Sequence, residues 1–220
     1  MMHTTIQNLI KIENEIKLNL SNSKVVNLPK IIAVSKTFKI DKILPLIDYG
    51  HIDYGENKIQ EAVDKWTDIK SNNLNIKLHM IGKLQTNKVK FAVKLFDYIH
   101  SVDSEKLAKK ISDEQEKIKK KVKIFIQVNI GNEEQKSGIK KTEVSGLISY
   151  CKKINLDVIG LMCLPPLDIE SSFYFKEMNL LNNSFGLSEL SMGMSSDYIE
   201  ASKNSASYLR IGSSIFGKRF

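Results

Sequence analysis

Cysteine is scarce in this chain. Only Cys151 and Cys163 occur among its 220 residues, and they do not form a CxxC pair. Disulfide frameworks and cysteine-based zinc sites need more cysteines at short, fixed spacings. The sequence therefore predicts neither a disulfide scaffold nor a metal site. It fits the reducing conditions of the cytoplasm, which is where we expect the protein.

Long apolar runs are also missing. No stretch reaches the roughly 18 apolar residues that a membrane-spanning helix needs. Residues 1–8 lack the charged-then-apolar layout of a signal peptide. Linkers rich in proline or glycine are absent, while the 42% of hydrophobic residues suffices for a sizeable core. We therefore expect one domain over residues 1–220 and no association with a membrane.

The net charge of +8, from 33 basic and 25 acidic residues, raises the question of nucleic-acid binding. Most lysines are scattered along the chain. The one dense group falls near the end of a predicted helix, where cations suit the helix dipole: Lys117, Lys119, Lys120, Lys121 and Lys123. We interpret this group as a solvated helix end and expect no nucleic-acid partner.

Short apolar runs alternate with amphipathic stretches along the whole chain. The apolar runs lie at residues 31–34, 52–54, 76–81, 98–102, 122–130, 156–162, 187–192 and 207–211. The stretches between them carry apolar residues at helical spacing, and a similar stretch over residues 6–20 precedes the first run. Strands that alternate with helices pair in parallel, and eight of them match a (β/α)8 barrel of the TIM type.

The alternative fold is a doubly wound open sheet. That fold usually has a glycine-rich turn after its first strand, whereas the first turn here reads Ser35-Lys36-Thr37-Phe38. We favour the barrel, with an N-terminal leader helix and no second β domain. Four residues are expected to cap its helices: Asp41, Thr86, Ser104 and Thr142.

Lys36 directly follows the first apolar run. In a barrel of this type, functional side chains lie at the C-terminal ends of the strands. A lysine at the margin of an apolar strand loses hydration, which disfavours its charged form. The neutral amine is the nucleophile that forms a Schiff base with an aldehyde. The alternative is a lysine whose ammonium group extends into solvent.

Two late loops can hold a phosphate group. Ser195 opens one predicted helix, and Gly212-Ser213-Ser214 opens another. Helix N-termini with hydroxyl groups bind phosphate, and barrels often place it after strands seven and eight. The alternative is two ordinary N-caps. Elsewhere, Glu56 reads as an exposed turn residue and His79 as a histidine at the edge of the core.

Nine stretches along the chain occur in a recognisable order. They are Ala33-Val34-Ser35-Lys36-Thr37, Tyr54-Gly55-Glu56-Asn57, residues 79–88, Ser101-Val102-Asp103, Val128-Asn129-Ile130, Lys136-Ser137-Gly138, Gly160-Leu161-Met162, residues 190–195 and residues 210–217. Together they resemble the pyridoxal phosphate homeostasis proteins, the YggS/PROSC family. None is decisive alone, but their common register over residues 31–217 is specific.

The resemblance implies a barrel similar to the N-terminal domain of bacterial alanine racemase, with pyridoxal 5'-phosphate (PLP) as its cofactor. It implies seven cofactor-binding residues: Lys36, Asn57, His79, Ser195, Arg210, Gly212 and Ser213. Lys36 would hold the cofactor as an aldimine, and Arg210 would face the pyridine nitrogen. Ser195, Gly212 and Ser213 would hold the phosphate, and the other two residues would line the cofactor face.

Two positions depart from the family pattern. The family usually has a proline shortly after the lysine motif, where this chain reads Thr37-Phe38-Lys39-Ile40. Lys83 occupies a variable position within the third motif. We expect neither position to touch the cofactor chemistry.

The implied site favours binding over catalysis. Arg210 beside the pyridine nitrogen would oppose protonation of that nitrogen, and an unprotonated ring is a poor electron sink. Related racemases use a further β domain that we do not expect here. We therefore expect a non-enzymatic protein of vitamin B6 homeostasis that holds PLP and delivers it to PLP-dependent apoenzymes. Lys136 is either an aid to this transfer or a surface lysine.

Two other functions stay open at this point. One is a low-activity PLP-dependent amino-acid racemase. The other is a cofactor-free Schiff-base aldolase, which also uses a barrel lysine and a phosphate site.

Overall fold

The computed structural model describes residues 2–21, 27–166 and 170–218. A leader helix is followed by alternating strands and helices. The elements are α1 (Thr4–Leu20), β1 (Lys30–Val34), α2 (Leu44–Asp48), β2 (Asp53–Glu56), α3 (Ile59–Asn72), β3 (Lys77–Met80), α4 (Val89–Leu95), β4 (Tyr98–Val102), α5 (Glu105–Ile118), β5 (Lys123–Val128), α6 (Val144–Lys153), β6 (Asp157–Cys163), α7 (Ser171–Ser184), β7 (Glu189–Met194), α8 (Tyr198–Lys203), β8 (Tyr208–Ile211) and α9 (Ser213–Phe216).

Strands β1 to β8 form a closed barrel in chain order. Each strand is parallel to its neighbours, and β1 closes the ring by pairing with β8, Ala33 lying opposite Ile211. Each strand overlaps one predicted apolar run, because strands covered on both faces are apolar nearly throughout. The predicted (β/α)8 barrel is confirmed, and the open sheet is wrong for this chain.

Helix starts were predicted less well than strands. Ser104 caps α5 as expected, since its Oγ accepts a hydrogen bond from the Leu107 N–H at 3.3 Å. The predicted caps Asp41, Thr86 and Thr142 are wrong, because each lies inside a 3-10 turn that precedes the helix. These turns are Ile40–Lys42, Thr86–Lys88 and Lys141–Glu143. Apolar periodicity does not distinguish such a turn from the first turn of an α-helix.

Apolar side chains pack in two layers. The outer layer lies between the barrel and its helices and includes Trp66, Phe96 and Phe175, all fully buried. The inner cluster fills the barrel: Ile32, Val34, Tyr98, Phe125, Met162 and Tyr208. Burial of one large apolar side chain contributes about 1.5–3 kcal/mol. Because many such side chains are buried in both layers, the strands that carry the loops are held firmly in place.

The leader helix braces the last part of the barrel. Asn8 on α1 donates to the Ile215 carbonyl oxygen at 2.9 Å, and the Tyr198 hydroxyl donates to Glu15. These contacts tie α1 to α8 and α9, which follow the last two strands. None of the helices in the described part of the chain has the length and apolarity needed to cross a bilayer.

Candidate functional site

A cavity of about 550 Å³ lies at the C-terminal ends of the strands. Six of the predicted cofactor-binding residues line it: Lys36, Asn57, Ser195, Arg210, Gly212 and Ser213. They end or follow β7, β8, β1 and β2, which are neighbours in the closed barrel. The volume falls in the range of small-molecule sites, roughly 300–1,000 Å³. The structure thus brings residues from both ends of the chain to one site.

Lys36 is held through the residues on either side of it. The Ser35 carbonyl oxygen accepts a hydrogen bond from Lys65 Nζ at 2.9 Å. The Thr37 N–H donates to Glu61 Oε1 at 2.5 Å. Thr37 has a φ of 67°, a conformation that is rare for a β-branched residue, so this bond stabilises a strained turn. One face of α3 therefore fixes the backbone that carries Lys36.

A buried carboxylate completes this arrangement. Glu56 Oε1 accepts from Ser35 Oγ at 2.7 Å and from Trp66 Nε1 at 3.0 Å. Lys65 Nζ lies 3.0 Å from the same oxygen and supplies the compensating charge. Glu56 is fully buried, so the prediction of an exposed turn residue is wrong. Its side chain ends β2 and packs against α3, a contact that a local turn pattern does not reveal.

Replacing Lys65 with methionine is expected to destabilise the fold by roughly 3 kcal/mol, because Glu56 would become a buried carboxylate without its cation. Lys65 and Glu56 side chains are 10% and 0% exposed. Urea unfolding measures the change. Lys203→Met is the matched control, since the Lys203–Glu200 pair is 44% and 41% exposed and should contribute less than about 1 kcal/mol. Equal losses in the two variants would show that Lys65 has no special role.

The loops after β7 and β8 meet at Ser195. Its Oγ accepts hydrogen bonds from the Gly212 and Ser214 N–H groups, both long at 3.4 Å. Ser213 begins α9, with Gly212 as the preceding cap residue. The prediction that Ser195 itself opens a helix is wrong, because α8 begins only at Tyr198. The hydroxyl and the N–H groups together suit an anion such as phosphate.

Arg210 is a buried cation at the cavity wall. Its Nη1 donates to Ser191 Oγ and its Nη2 to the Cys163 carbonyl oxygen, each at 2.8 Å. Burial lowers the pKa of Arg210 below its ordinary value. A guanidinium group stays charged in proteins even so. Arg210 therefore presents a positive charge of fixed position to the cavity.

Asn57 carries a buried acceptor that calls for a donor. Its Oδ1 has no hydrogen-bond partner among the described residues. Buried polar atoms are nearly always paired, so a bound molecule or a water is expected at this atom. Gly82 packs directly against Asn57, and a Cβ at Gly82 would lie 2.3 Å from the Asn57 carbonyl oxygen. Only glycine allows this close approach.

Comparison with known proteins assigns the chain to a family. The model for the alanine racemase N-terminal domain matches residues 14–219. The pyridoxal phosphate homeostasis protein of Haemophilus influenzae is 35% identical over 95% of this chain and 92% of its own length. That of Pasteurella multocida is 32% identical over 98% of both chains. The chain belongs to the pyridoxal phosphate homeostasis protein family. The resemblance seen in the sequence is confirmed.

Solved structures share the barrel fold of this homeostasis family member. PipY of Synechococcus elongatus, with PLP bound, matches with a TM-score of 0.84 and 27% identity, covering 97% of this chain and 100% of PipY. Alanine racemase of Clostridium difficile matches with a TM-score of 0.72 and 16% identity, and this chain covers 56% of it. The second likeness concerns the fold alone.

His79 lies apart from the other six predicted residues of the family site. It is fully buried inside the barrel, where it contacts Asp53 and His100 rather than the cavity. Its position in the sequence indicated a histidine at the edge of the core, whereas the family resemblance implied a place on the cofactor face. β3 continues to Met80, and the loop after it reaches the cavity wall. His79 therefore lies deeper in the barrel than the residues that line the cavity.

Five further polar side chains line the cavity wall: Lys83, Gln127, Lys136, Ser137 and Ser196. Of these, Lys136 was named from the sequence as a residue that could aid cofactor transfer. Lys83, whose position we expected not to touch the cofactor chemistry, lies on the cavity wall. Lys136 Nζ donates to the Pro165 carbonyl oxygen at 3.0 Å and pairs with Glu133 at 2.5 Å. All five belong to strand β5 or to the loops after β3, β5 and β7, and these strand ends were visible in the sequence.

Proposed function

We propose that this chain binds PLP in the cavity and serves PLP homeostasis by holding the cofactor and handing it on. One observation carries the proposal. Lys36, Arg210 and the N–H groups around Ser195 share a single cavity, so an amine, a cation and an anion seat face the same space. PipY with PLP bound and relatives named for PLP homeostasis support it.

The residues present fit the chemical groups of PLP. We propose that Ser195, Gly212 and Ser213 hold the phosphate, since hydroxyl and N–H donors converge there. Arg210 would face the pyridine nitrogen, and Asn57 would line the ring face with its unpaired Oδ1 directed at a donor. His79 has no part in this arrangement. The cavity therefore offers a complementary group for each end of the cofactor.

When bound, PLP supplies an aldehyde that forms a reversible Schiff base with an amine and a ring that accepts electrons. Lys36 provides the amine, and α3 holds the backbone on either side of it in place. We propose that attachment is covalent through Lys36 Nζ. Hydrolysis or exchange with another amine would reverse it, which suits storage and transfer.

Arg210 directs the site towards holding rather than turnover. A guanidinium beside the pyridine nitrogen opposes its protonation, because two positive charges would meet. We therefore propose that the protein does not act primarily as an enzyme. The racemase alternative is not favoured, since the curated relatives are named homeostasis proteins and the racemase likeness at 16% identity concerns the fold. The cofactor-free aldolase has no support among these relatives.

Delivery requires a recipient for the cofactor and, where release is by exchange, a second amine that can take it from Lys36. We propose that PLP-dependent apoenzymes receive the cofactor. Lys136 lines the same cavity as Lys36, so a second amine is at hand for exchange. Lys136 belongs to the loop after β5, and the ion pair with Glu133 holds its side chain at that loop.

The attachment site can be mapped directly. Protein mixed with PLP is expected to show the visible absorbance of a Schiff base. Borohydride makes the bond permanent, and peptide mass spectrometry is expected to place the added mass on Lys36. Protein unfolded in urea before PLP is added serves as the control, with labelling spread over many lysines. A colourless folded protein, or the same spread in the folded protein, would overturn the proposal.

A further inference from the structure

Five polar side chains form a hydrogen-bonded chain through the inside of the barrel. They are Asp53, His79, His100, Ser191 and Arg210, referred to below as the axial column. Asp53 Oδ1 lies 2.9 Å from His79 Nε2, and His79 Nδ1 lies 2.9 Å from His100 Nε2. His100 Nδ1 lies 2.8 Å from Ser191 Oγ, which accepts from Arg210 Nη1 at 2.8 Å. The column joins the N-terminal start of β2 to the cofactor cavity.

The column is buried along its whole length. Both histidines and Ser191 are 0% exposed, while Asp53 and Arg210 are 7% and 5% exposed. Each imidazole is stacked on an aromatic ring, His79 on Tyr98 and His100 on Phe125, with ring centres 4.3 Å apart in both cases. These contacts fix the ring planes, so the hydrogen bonds have little freedom to rearrange.

With both imidazoles neutral, the ends of the column determine the direction of every hydrogen bond in it. Asp53 as a carboxylate can only accept, so His79 must donate from Nε2. Neutral His79 then accepts at Nδ1, and His100 donates from its own Nε2. Neutral His100 accepts at Nδ1 from the Ser191 hydroxyl. Ser191 is thereby left as the acceptor for Arg210, and all donors point from Arg210 towards Asp53.

Both histidines are neutral in this arrangement. Burial lowers the pKa of His79, although Asp53 partly opposes the shift. Burial, His79 and the Arg210 cation lower the pKa of His100 well below its ordinary value. These shifts favour the neutral rings on which the donor order depends.

Stability alone does not account for such a column. Barrel interiors are usually filled by branched apolar side chains. Replacing buried charged groups with well-packed apolar ones is often neutral or stabilising. What the column does provide is a defined position for Arg210. Ser191 Oγ accepts from Nη1, while the Cys163 carbonyl oxygen accepts from Nη2. Each of these nitrogens carries a second N–H that the two bonds do not use.

We infer that Asp53, His79, His100 and Ser191 are positioning residues that fix the direction of the Arg210 guanidinium at the cavity wall. They act through Arg210 and do not touch the cofactor. The effect of this positioning on PLP binding rests on the proposed function, whereas the hydrogen bonds of the column can be tested without cofactor.

The first test uses the unmodified full-length chain without PLP. Two-dimensional ¹H–¹⁵N NMR of the imidazole rings at neutral pH is expected to show His79 and His100 as neutral Nε2–H tautomers. The two other histidines, His3 and His51, are assigned with His3→Gln and His51→Gln variants. An Nδ1–H tautomer or an imidazolium at either buried position would overturn the column, whatever the protein binds.

The second test removes one link. Ser191→Ala is expected to shift the His100 Nδ1 resonance, to speed proton exchange at Arg210 and to accelerate PLP release about tenfold, as loss of one hydrogen bond to a charged group would. Ser112→Ala is the matched control, because Ser112 is equally a buried serine but donates to the Ile154 carbonyl oxygen on the outside of the barrel. Ser112→Ala should leave the His100 Nδ1 resonance, the proton exchange at Arg210 and the rate of PLP release unchanged.

The outcomes separate the inference from the proposed function. In one outcome the unmodified chain and both variants all fail to bind PLP, while the His100 and Arg210 signals change in Ser191→Ala alone. In that case the proposed function fails and the column stands. If PLP binds and Ser191→Ala leaves those signals and the release rate as they are in Ser112→Ala, the positioning role is wrong. Should Ser191→Ala fail to fold, the tautomer measurement on the unmodified chain still decides the matter.

Discussion

Replacing Lys36 with alanine is expected to weaken PLP binding by roughly a thousandfold, about 4 kcal/mol. The reason is that the change removes the amine that we propose for the Schiff base and leaves only the phosphate and ring contacts. The visible absorbance of the Schiff base should disappear as well. Equilibrium titration with PLP, followed by absorbance and by calorimetry, measures both effects.

A second lysine in the same cavity provides the control for Lys36→Ala. Lys83 lines the wall, so Lys83→Ala removes the same charge from the same space. It should keep the absorbance band and lose no more than about tenfold in affinity, since a cation at the cavity wall contributes a modest electrostatic attraction to an anionic ligand. If Lys36→Ala retained the band, or if Lys83→Ala abolished it, Lys36 would not be the attachment site. Circular dichroism of both variants verifies that the barrel is intact.

Replacing Arg210 with glutamate is expected to raise the pKa of the bound pyridine nitrogen by at least about one unit, or roughly 1.4 kcal/mol. A carboxylate stabilises a proton at the ring nitrogen, whereas the guanidinium opposes it. The ¹⁵N chemical shift of labelled PLP, followed through a pH titration, reports this proton directly.

Arg210→Gln separates charge from shape. Glutamine has the length of glutamate without its charge, so the pKa should lie between those of the original protein and Arg210→Glu. The glutamate side chain can also accept from the Ser191 hydroxyl, which we infer donates to His100 in the axial column of the original protein. Identical titrations in all three proteins would mean that Arg210 does not face the ring.

The positions of the strands were determined by the sequence itself. Apolar runs of three to nine residues, separated by helical periodicity, predicted every strand of the barrel, because parallel strands buried on both faces are apolar nearly throughout. The same pattern located Lys36, Ser195 and Gly212 at strand ends, and strand ends in a barrel meet at one face. Six of the seven predicted ligands consequently line one cavity.

The surroundings of those residues were decided by the tertiary structure. Glu56 was expected to be exposed because its neighbours suggest a turn, yet α3 covers it and supplies Lys65 and Trp66. His79 was expected on the cofactor face because the family resemblance implied it, yet it lies inside the barrel. The depth of a side chain in a barrel depends instead on the stagger of adjacent strands, which a single sequence does not show.

The axial column shows most clearly which features the sequence determines and which depend on the tertiary structure. His100 and Ser191 are 91 residues apart in the chain and lie within hydrogen-bonding distance. No local pattern relates them, since they belong to strands on different parts of the ring. The sequence by itself determined which elements form and which residues end them, because those depend on neighbours along the chain. Closure of the barrel alone decided which buried polar groups meet, because each of them is stable only when another strand supplies its partner.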